Sequence, residues 1–322
     1  MAKKVWLWFS FLLIASLIAA GCTGPQTVQR PPLKVEWTDW EGDYTLLVAQ
    51  EKGFFEKHGV AVEPVYYGTF SKAIPDLSAH KLDAGLFGLS DVFTASRVAE
   101  IKTVAIYDSG GTVAVVSSTA INTVADLKGK KVGVVFGTYG EMFVRQMLSS
   151  AQLTIKDVEL IQVDPEGVPA ALSDGAISAG YVWAPLDQQA VKDGHKILYS
   201  QVAGLLAPDV IVFRADVVES RPDDVRAFLD AWFEAADFRN NNPEESRQII
   251  AKITNQDLAE VSESTDLKLY SREENLQFFN SDPAKEDTIY NFARANLDFR
   301  IVRGDITFLP DLEAIFDPSF LK

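Results

Sequence analysis

A single cysteine, three histidines and three methionines are all that this 322-residue chain holds of those types. One cysteine cannot close a disulfide within the chain, so the fold must rest on packing. His58, His80 and His195 are far apart, each in a polar stretch. No His-Glu-x-x-His, Gly-x-Ser-x-Gly or Walker A pattern occurs. The sequence therefore assigns no catalytic residue, no metal and no cofactor, and the expectation is a protein that is not an enzyme. Positive charge is also scarce, with 30 Lys and Arg against 45 Asp and Glu, a net of −15. Such a surface argues against nucleic acid and against docking on anionic lipid by charge. Long apolar runs are missing too. Val5 to Ala20 falls short of the roughly 20 residues that span a bilayer.

That apolar run is nevertheless informative. Lys3 and Lys4 precede it, and Ala19-Ala20-Gly21-Cys22-Thr23 follows. Residues 1–21 read as a cleaved export signal. A cysteine directly after small residues resembles the lipobox of bacterial lipoproteins, although Ala19 stands where that motif prefers leucine. The resemblance implies that Cys22 is lipidated, becomes the mature N-terminus and holds the chain outside the cell membrane. Without Lys3 and Lys4 the mature chain has 28 basic and 45 acidic groups, a net of −17. Residues 22–32, with Pro25, Pro31 and Pro32, suit a flexible tether.

Beyond the tether, about 290 residues suffice for two modest lobes. Leu33 to Trp37 alternates as a strand does, and Tyr44 to Lys57 has helical spacing closed by Gly59. Val60 to Tyr67 is a second strand, Ser71 to His80 a helix, and Ala84 to Gly88 a short buried strand. The pattern then repeats. Strands are expected at Thr112 to Val116, Lys131 to Val135 and Val158 to Val163, with a helix over Thr138 to Ala151. Strands alternating with helices predict an α/β fold with mainly parallel sheets. Leu77 to Gly85 echoes Leu172 to Gly180, as two similar lobes would. Asp209 to Phe213 is expected to cross back to the first lobe. Helices are expected over Val225 to Asn240, Pro243 to Lys252 and Leu258 to Tyr270. The predicted division is residues 33–116 and 207–322 in lobe 1 and 117–206 in lobe 2, hinged near Val116-Ser117 and Leu206 to Pro208. A cleft between lobes is where a small ligand binds.

Several segments together resemble one family. Ala49 to Gly59 looks like its "A-x-E-K-G-F-F-x-x-x-G" opening. Leu77-Ser78 with Leu82-Asp83-Ala84-Gly85 looks like "L-x-x-G-x-x-D-A-G", with His80 where that glycine is usual. Asp126 to Val134 matches "D-L-K-G-K-x-V-G-V", and Trp183-Ala184-Pro185 resembles a "W-x-P" element. These are features of solute-binding proteins of ABC importers for taurine, aliphatic sulfonates, nitrate and thiamine precursors. The resemblance covers about residues 33–290. It implies a two-lobed, periplasmic binding protein-like fold, a small-molecule ligand, and a permease and ATPase as partners. A sensory ligand-binding module is the alternative. Enzymes of pyrimidine or menaquinone biosynthesis share the fold, but the pyrimidine-forming relatives carry a cysteine-rich motif absent here.

In α/β sheets ligands sit beyond the carboxyl ends of strands. The loops so placed offer Asp39 and Trp40, Tyr67, Ser90 and Asp91, Asp108 and Ser109, Thr138 and Tyr139, and Trp183 as ligand-binding candidates. Ser90 and Thr138 each precede a helix, where free N–H groups favour an anion; equally, they could simply cap those helices. Trp40 and Trp183 suit stacking walls. These loops contain no lysine or arginine, which favours a planar heterocycle or a zwitterion over a bare small anion. Asp39, Glu41, Asp91 or Asp108 could pair with an amine or ring N–H.

Overall fold

The structure, a computed structural model, describes residues 30–202, 208–259, 261, 266–280, 285–302 and 309–322. The expected export signal, Cys22, the expected tether before residue 30 and the expected hinge at Leu206 lie outside the described residues.

Eleven described strands form two sheets. They are β1 (Leu33–Trp37), β2 (Val62–Tyr66), β3 (Ala84–Gly88), β4 (Ile101–Ser109), β5 (Thr112–Ser117), β6 (Lys131–Val134), β7 (Glu159–Gln162), β8 (Ala179–Trp183), β9 (Lys196–Val202), β10 (Asp209–Arg214) and β11 (Lys268–Leu269). The first sheet runs β11-β4-β10-β3-β1-β2 and the second β7-β6-β8-β5-β9. In both, the early strands pair in parallel and antiparallel pairs complete the sheet: β10 lies antiparallel to β3 and β4, β11 antiparallel to β4, and β5 antiparallel to β8 and β9. The sequence echo falls on matching elements. Helix Ala73–Ser78 leads to β3 as helix Val168–Ser173 leads to β8.

The division at Val116-Ser117 is corrected. Both residues sit inside β5, paired with Gly180 and Ala179 of β8. The chain leaves the first sheet after Ser109 and enters the second at Thr112. Gly110 and Gly111 make that passage with φ of +100° and +68°, conformations that favour glycine. The apolar run Thr112 to Val116 belongs to the second sheet because its side chains fill that sheet's core.

Other differences have local causes. The helix expected over Tyr44 to Lys57 is two, Tyr44–Glu51 and Phe54–Lys57, because Gly53 breaks it at φ +69°. Asp108 and Ser109 were expected in a loop; they end β4, whose run from Thr103 to Tyr107 is buried throughout. A helix reaching Tyr270 is contradicted by β11 at Lys268–Leu269. His80 takes φ +58°, which accounts for glycine being usual there.

Helix Pro222–Asn241 starts on a proline with Asp223 and Asp224 in its first turn, an arrangement suited to a helix N-terminus. Its Phe228, Leu229 and Trp232 are fully buried in the core of the first sheet. Burying each such side chain stabilises by about 2 kcal/mol. Near its far end this helix places the buried Arg239 against the loop after β1.

Candidate functional site

The loop after β1 is fixed by hydrogen bonds before any ligand is considered. Thr38 donates its N–H and its hydroxyl to Asp43 Oδ2 at 2.8 and 2.9 Å, and Tyr107 donates its hydroxyl to Asp43 Oδ1 at 2.6 Å. From outside, Arg239 donates to the Glu41 carbonyl at 3.0 Å and to the Thr45 hydroxyl at 2.8 Å. Trp40 then donates its indole N–H to Asp108 Oδ2 at 3.0 Å. Two glycines permit this approach. A Cβ on Gly42 would lie 1.5 Å from Asp108 Oδ2, and one on Gly111 would lie 2.4 Å from the Trp40 ring.

A cavity opens among the strand ends and adjoining loops of the two sheets. The first sheet and its loops contribute Trp40, Asp43, Phe70, Ser90, Asp91 and Asp209; the second contributes Thr138, Tyr139, Tyr181 and Trp183. Tyr181 and Trp183, two residues apart on β8, share the face that looks inward. The ring of Trp183 meets Phe70 edge-on at 5.8 Å, and that of Tyr181 meets Tyr139 edge-on at 6.3 Å. Trp183 is only 9% exposed, and its indole N–H has no acceptor among the described residues.

Of the ten candidate residues, Trp40, Ser90, Asp91, Thr138, Tyr139 and Trp183 line the cavity. Asp39, Tyr67, Asp108 and Ser109 do not. Asp39 accepts the Tyr66 hydroxyl at 2.5 Å, and Tyr67 donates to Asp76 at 2.8 Å. Ser109 Oγ lies 2.7 Å from the Tyr270 hydroxyl, and Asp108 stands behind Trp40. The histidines lie elsewhere: His58 meets Glu234, His80 faces Asp216 and His195 meets Ser173.

At the helix starts beside Ser90 and Thr138 the first N–H is already taken. The Tyr139 N–H, at the start of helix Tyr139–Ser150, is donated to Asp91 Oδ1 at 3.0 Å. The Gly137 N–H is donated to Glu141 at 2.9 Å. Across the cavity the Leu89 N–H goes to the Pro208 carbonyl at 2.9 Å. The hydroxyls of Ser90 and Thr138 cap neither helix by side chain. That of Thr138 donates to the Val135 carbonyl, and that of Ser90 to Asp91 Oδ1.

Sequence reasoning missed Asp43 and Asp209. Asp209 was overlooked because only carboxyl ends of strands were considered. β10 runs antiparallel, so its amino end lies level with the carboxyl end of β3, where Asp209 faces Gly88. Its other register partner is Asp108 of β4. The two acids therefore face each other across neighbouring strands. Burial and the Asp108 charge push Asp209 well above the usual carboxylate range. Burial raises its neighbours as well. Asp43 is pushed up to about 8 despite its Tyr107 and Thr38 donors, Asp108 to about 7 and Asp91 to about 6. For Asp91 the Tyr139 N–H and the Arg300 charge oppose the rise.

Four contacts tie the lips of the cavity together across the two sheets. Ser71 donates its N–H and its hydroxyl to Asp164 at 2.6 and 3.0 Å. On the other side Thr94 and Arg300 donate to the Gly137 carbonyl at 2.6 and 3.1 Å. No group of three His, Cys, Asp or Glu residues that could hold a metal occurs among the described residues. Nor, among these, is any helix long and apolar enough to cross a membrane.

Residues 43–246 match the family model described as NMT1/THI5 like. The chain belongs to that family. Among curated relatives of this family, a putative binding protein of Brucella abortus is 31% identical over 71% of this chain and 74% of its own length. A putative aliphatic sulfonates-binding protein of Bacillus subtilis is 28% identical over 86% of this chain and 83% of its own. Among solved structures, the periplasmic nitrate-binding protein NrtA of Synechocystis superposes with a TM-score of 0.75, covering 90% of this chain and 86% of that one at 17% identity. The fold is therefore that of the periplasmic binding proteins, and the family resemblance expected from the sequence holds.

Proposed function

We propose that this chain is the extracytoplasmic solute receptor of an ABC importer, anchored by lipid at Cys22, and that it captures a small nitrogen heterocycle by closure of two lobes. The two lobes are those built on the two sheets. The observation that carries this reading is the character of the cavity wall. Trp40, Tyr139, Tyr181 and Trp183 offer rings, and Asp43, Asp91 and Asp209 offer carboxyl groups, with no lysine or arginine among the described lining residues. A flat ring stacks on such walls, and its N–H groups find acceptors. A sulfonate or nitrate would meet carboxyls where it needs donors, and the first N–H of the helix start nearest to it is already taken by Asp91. The importer reading draws support from relatives named for binding, including the aliphatic sulfonates-binding protein. The ligand reading departs from that name on the grounds of charge.

The test is a thermal-melting screen of the full chain against aminopyrimidines, thiamine, flavins, taurine, alkanesulfonates and nitrate. A ligand that binds only the folded state raises the midpoint by mass action. A shift with a heterocycle supports the reading. A shift with sulfonate or nitrate alone overturns the ligand class and keeps the receptor. Cys22→Ser with unchanged retention on membranes overturns the anchor.

A further inference from the structure

Of all the buried polar groups, the Asp108–Asp209 pair is the least explained by folding alone. The register of β10 on β4 sets the two acids directly opposite each other, where like charges repel. Asp209 lines the cavity while Asp108, fully buried, sits one step behind it under Trp40. Asp108 Oδ1 has no hydrogen-bond partner among the described residues. A second carboxyl, that of Asp91, stands beside Asp209. Asp91 Oδ2 and Asp209 Oδ1 lie 3.2 and 3.4 Å from the point a Cβ on Gly88 would occupy. Also on the cavity wall, Trp183 is nine-tenths buried and its indole N–H lacks an acceptor among the described residues. The wall thus asks for a ligand with an N–H edge toward Asp91 and Asp209 and an acceptor toward Trp183.

We infer that the unliganded protein holds one proton between Asp108 and Asp209 and that the solute's own cationic nitrogen takes its place, so that capture of a protonated amine or amidinium releases a proton. The inference rests on the receptor reading above and adds the charge state of the ligand. The exchange balances: Asp209 gives its carboxyl proton to water, its carboxylate accepts an N–H from the ligand, and no covalent bond of the ligand changes. One positive charge enters and one leaves.

The charged and titratable groups around Asp209 bear on this exchange from every side. Asp91 reaches it from the helix after β3, Asp108 and Tyr107 from β4, and Asp43 from the loop after β1. Tyr139 and Tyr181 approach from the second sheet's side. Arg300 acts on Asp91, and Arg239 on Asp108. Tyr270 senses Asp108 from beyond Ser109, and the buried Glu36 senses Asp91 and Asp43 from β1. The two arginines are engaged with backbone carbonyls and hydroxyls, so they temper the pair without replacing its proton.

The experiment uses the full chain purified in detergent, with benzamidine and 4-aminopyridine as cationic probes and aniline as a neutral one. Calorimetric titration in two buffers of different ionisation heat counts protons. One proton released per bound cation is expected. Affinity should rise by about tenfold per pH unit while the pair holds its proton, and flatten above that range. Asp209→Asn should abolish the proton release. Infrared difference spectra give an arm that needs no ligand: at neutral pH the parent should show a carboxylic-acid carbonyl band, beyond those of the raised Asp43 and Glu36, that disappears in the difference against Asp209→Asn. A cation that binds without proton release, or the absence of that band from the parent, overturns the inference. Aniline or a panel heterocycle binding while neither cation does would leave the receptor standing and end the exchange. A chain whose melting no compound moves would end both.

Discussion

Trp40 and Asp108, 68 residues apart in the chain, are joined by a 3.0 Å indole hydrogen bond that only a glycine at position 42 allows. Gly42→Ala is expected to push the Asp108 carboxyl and the Trp40 ring apart. The overlap should destabilise the protein by about 1–3 kcal/mol, as overpacking typically does. Denaturant melts measure that loss, and ligand affinity should fall with it.

Trp40→Phe keeps a ring and removes the donor. Asp108 Oδ2 is then buried without its N–H, at a cost of about 1–3 kcal/mol. The indole favours the ionised form of Asp108, whose pKa lies at about 7. The loss should therefore be larger at about pH 9 than at about pH 5, and equal losses at both would contradict the pairing.

Stability of the unliganded protein should decline as pH rises through the neutral range. Asp91, Asp108 and Asp43 titrate at about 6, 7 and 8 when folded, above the ordinary carboxylate range of the unfolded chain. The folded state holds more protons there, so their contribution is full below the unfolded pKa and is lost as pH climbs through the folded values. Asp216 and Asp157 work in the opposite sense. Each is held low, Asp216 by Arg214 and Asp157 by Thr154, so their contribution fades in acid. Melting temperature against pH should peak on the mildly acidic side.

Asp164→Ala removes the acceptor that Ser71 uses twice to bridge the sheets. A net contribution of about 1 kcal/mol per hydrogen bond corresponds to about a fivefold change in an equilibrium. Ligand release is expected to quicken by at least that factor, with little change in the melt of the unliganded chain. Stopped-flow tryptophan fluorescence would register it. Thr94→Val, on the opposite lip, should act in the same direction.

Much of the frame was legible because it is local. β1 and β3 fall at Leu33–Trp37 and Ala84–Gly88 as the alternation and turn residues require. β4 escaped notice because it lies between β11 and β10, is buried on both faces from Thr103 onward and mixes Lys102, Thr103 and Asp108 with apolar residues, so no period of two marks it. The cavity was half legible. Trp40 and Trp183 follow from their places at strand ends, but the roles of Asp43 and Asp209 depend on partners far off in the chain. Asp209 reads as an unremarkable strand start until the direction of β10 is known. The anion-binding appearance of Thr138 and Tyr139 was local chemistry overruled by Asp91, which arrives from the other sheet.

The place of β10 has a consequence for the order in which the molecule is assembled. It is inserted between β3 and β4, yet it follows every strand of the second sheet in the chain. A nascent polypeptide that has emerged only as far as β9 holds a first sheet in two pieces, each with an apolar strand edge bare. The second sheet, continuous from Thr112 to Val202, can be completed alone. Synthesis must run past Arg214 before the first closes. Until then the chain is exposed to mispairing at β3 and β4, and a truncation before Asp209 leaves those edges permanently open to aggregation.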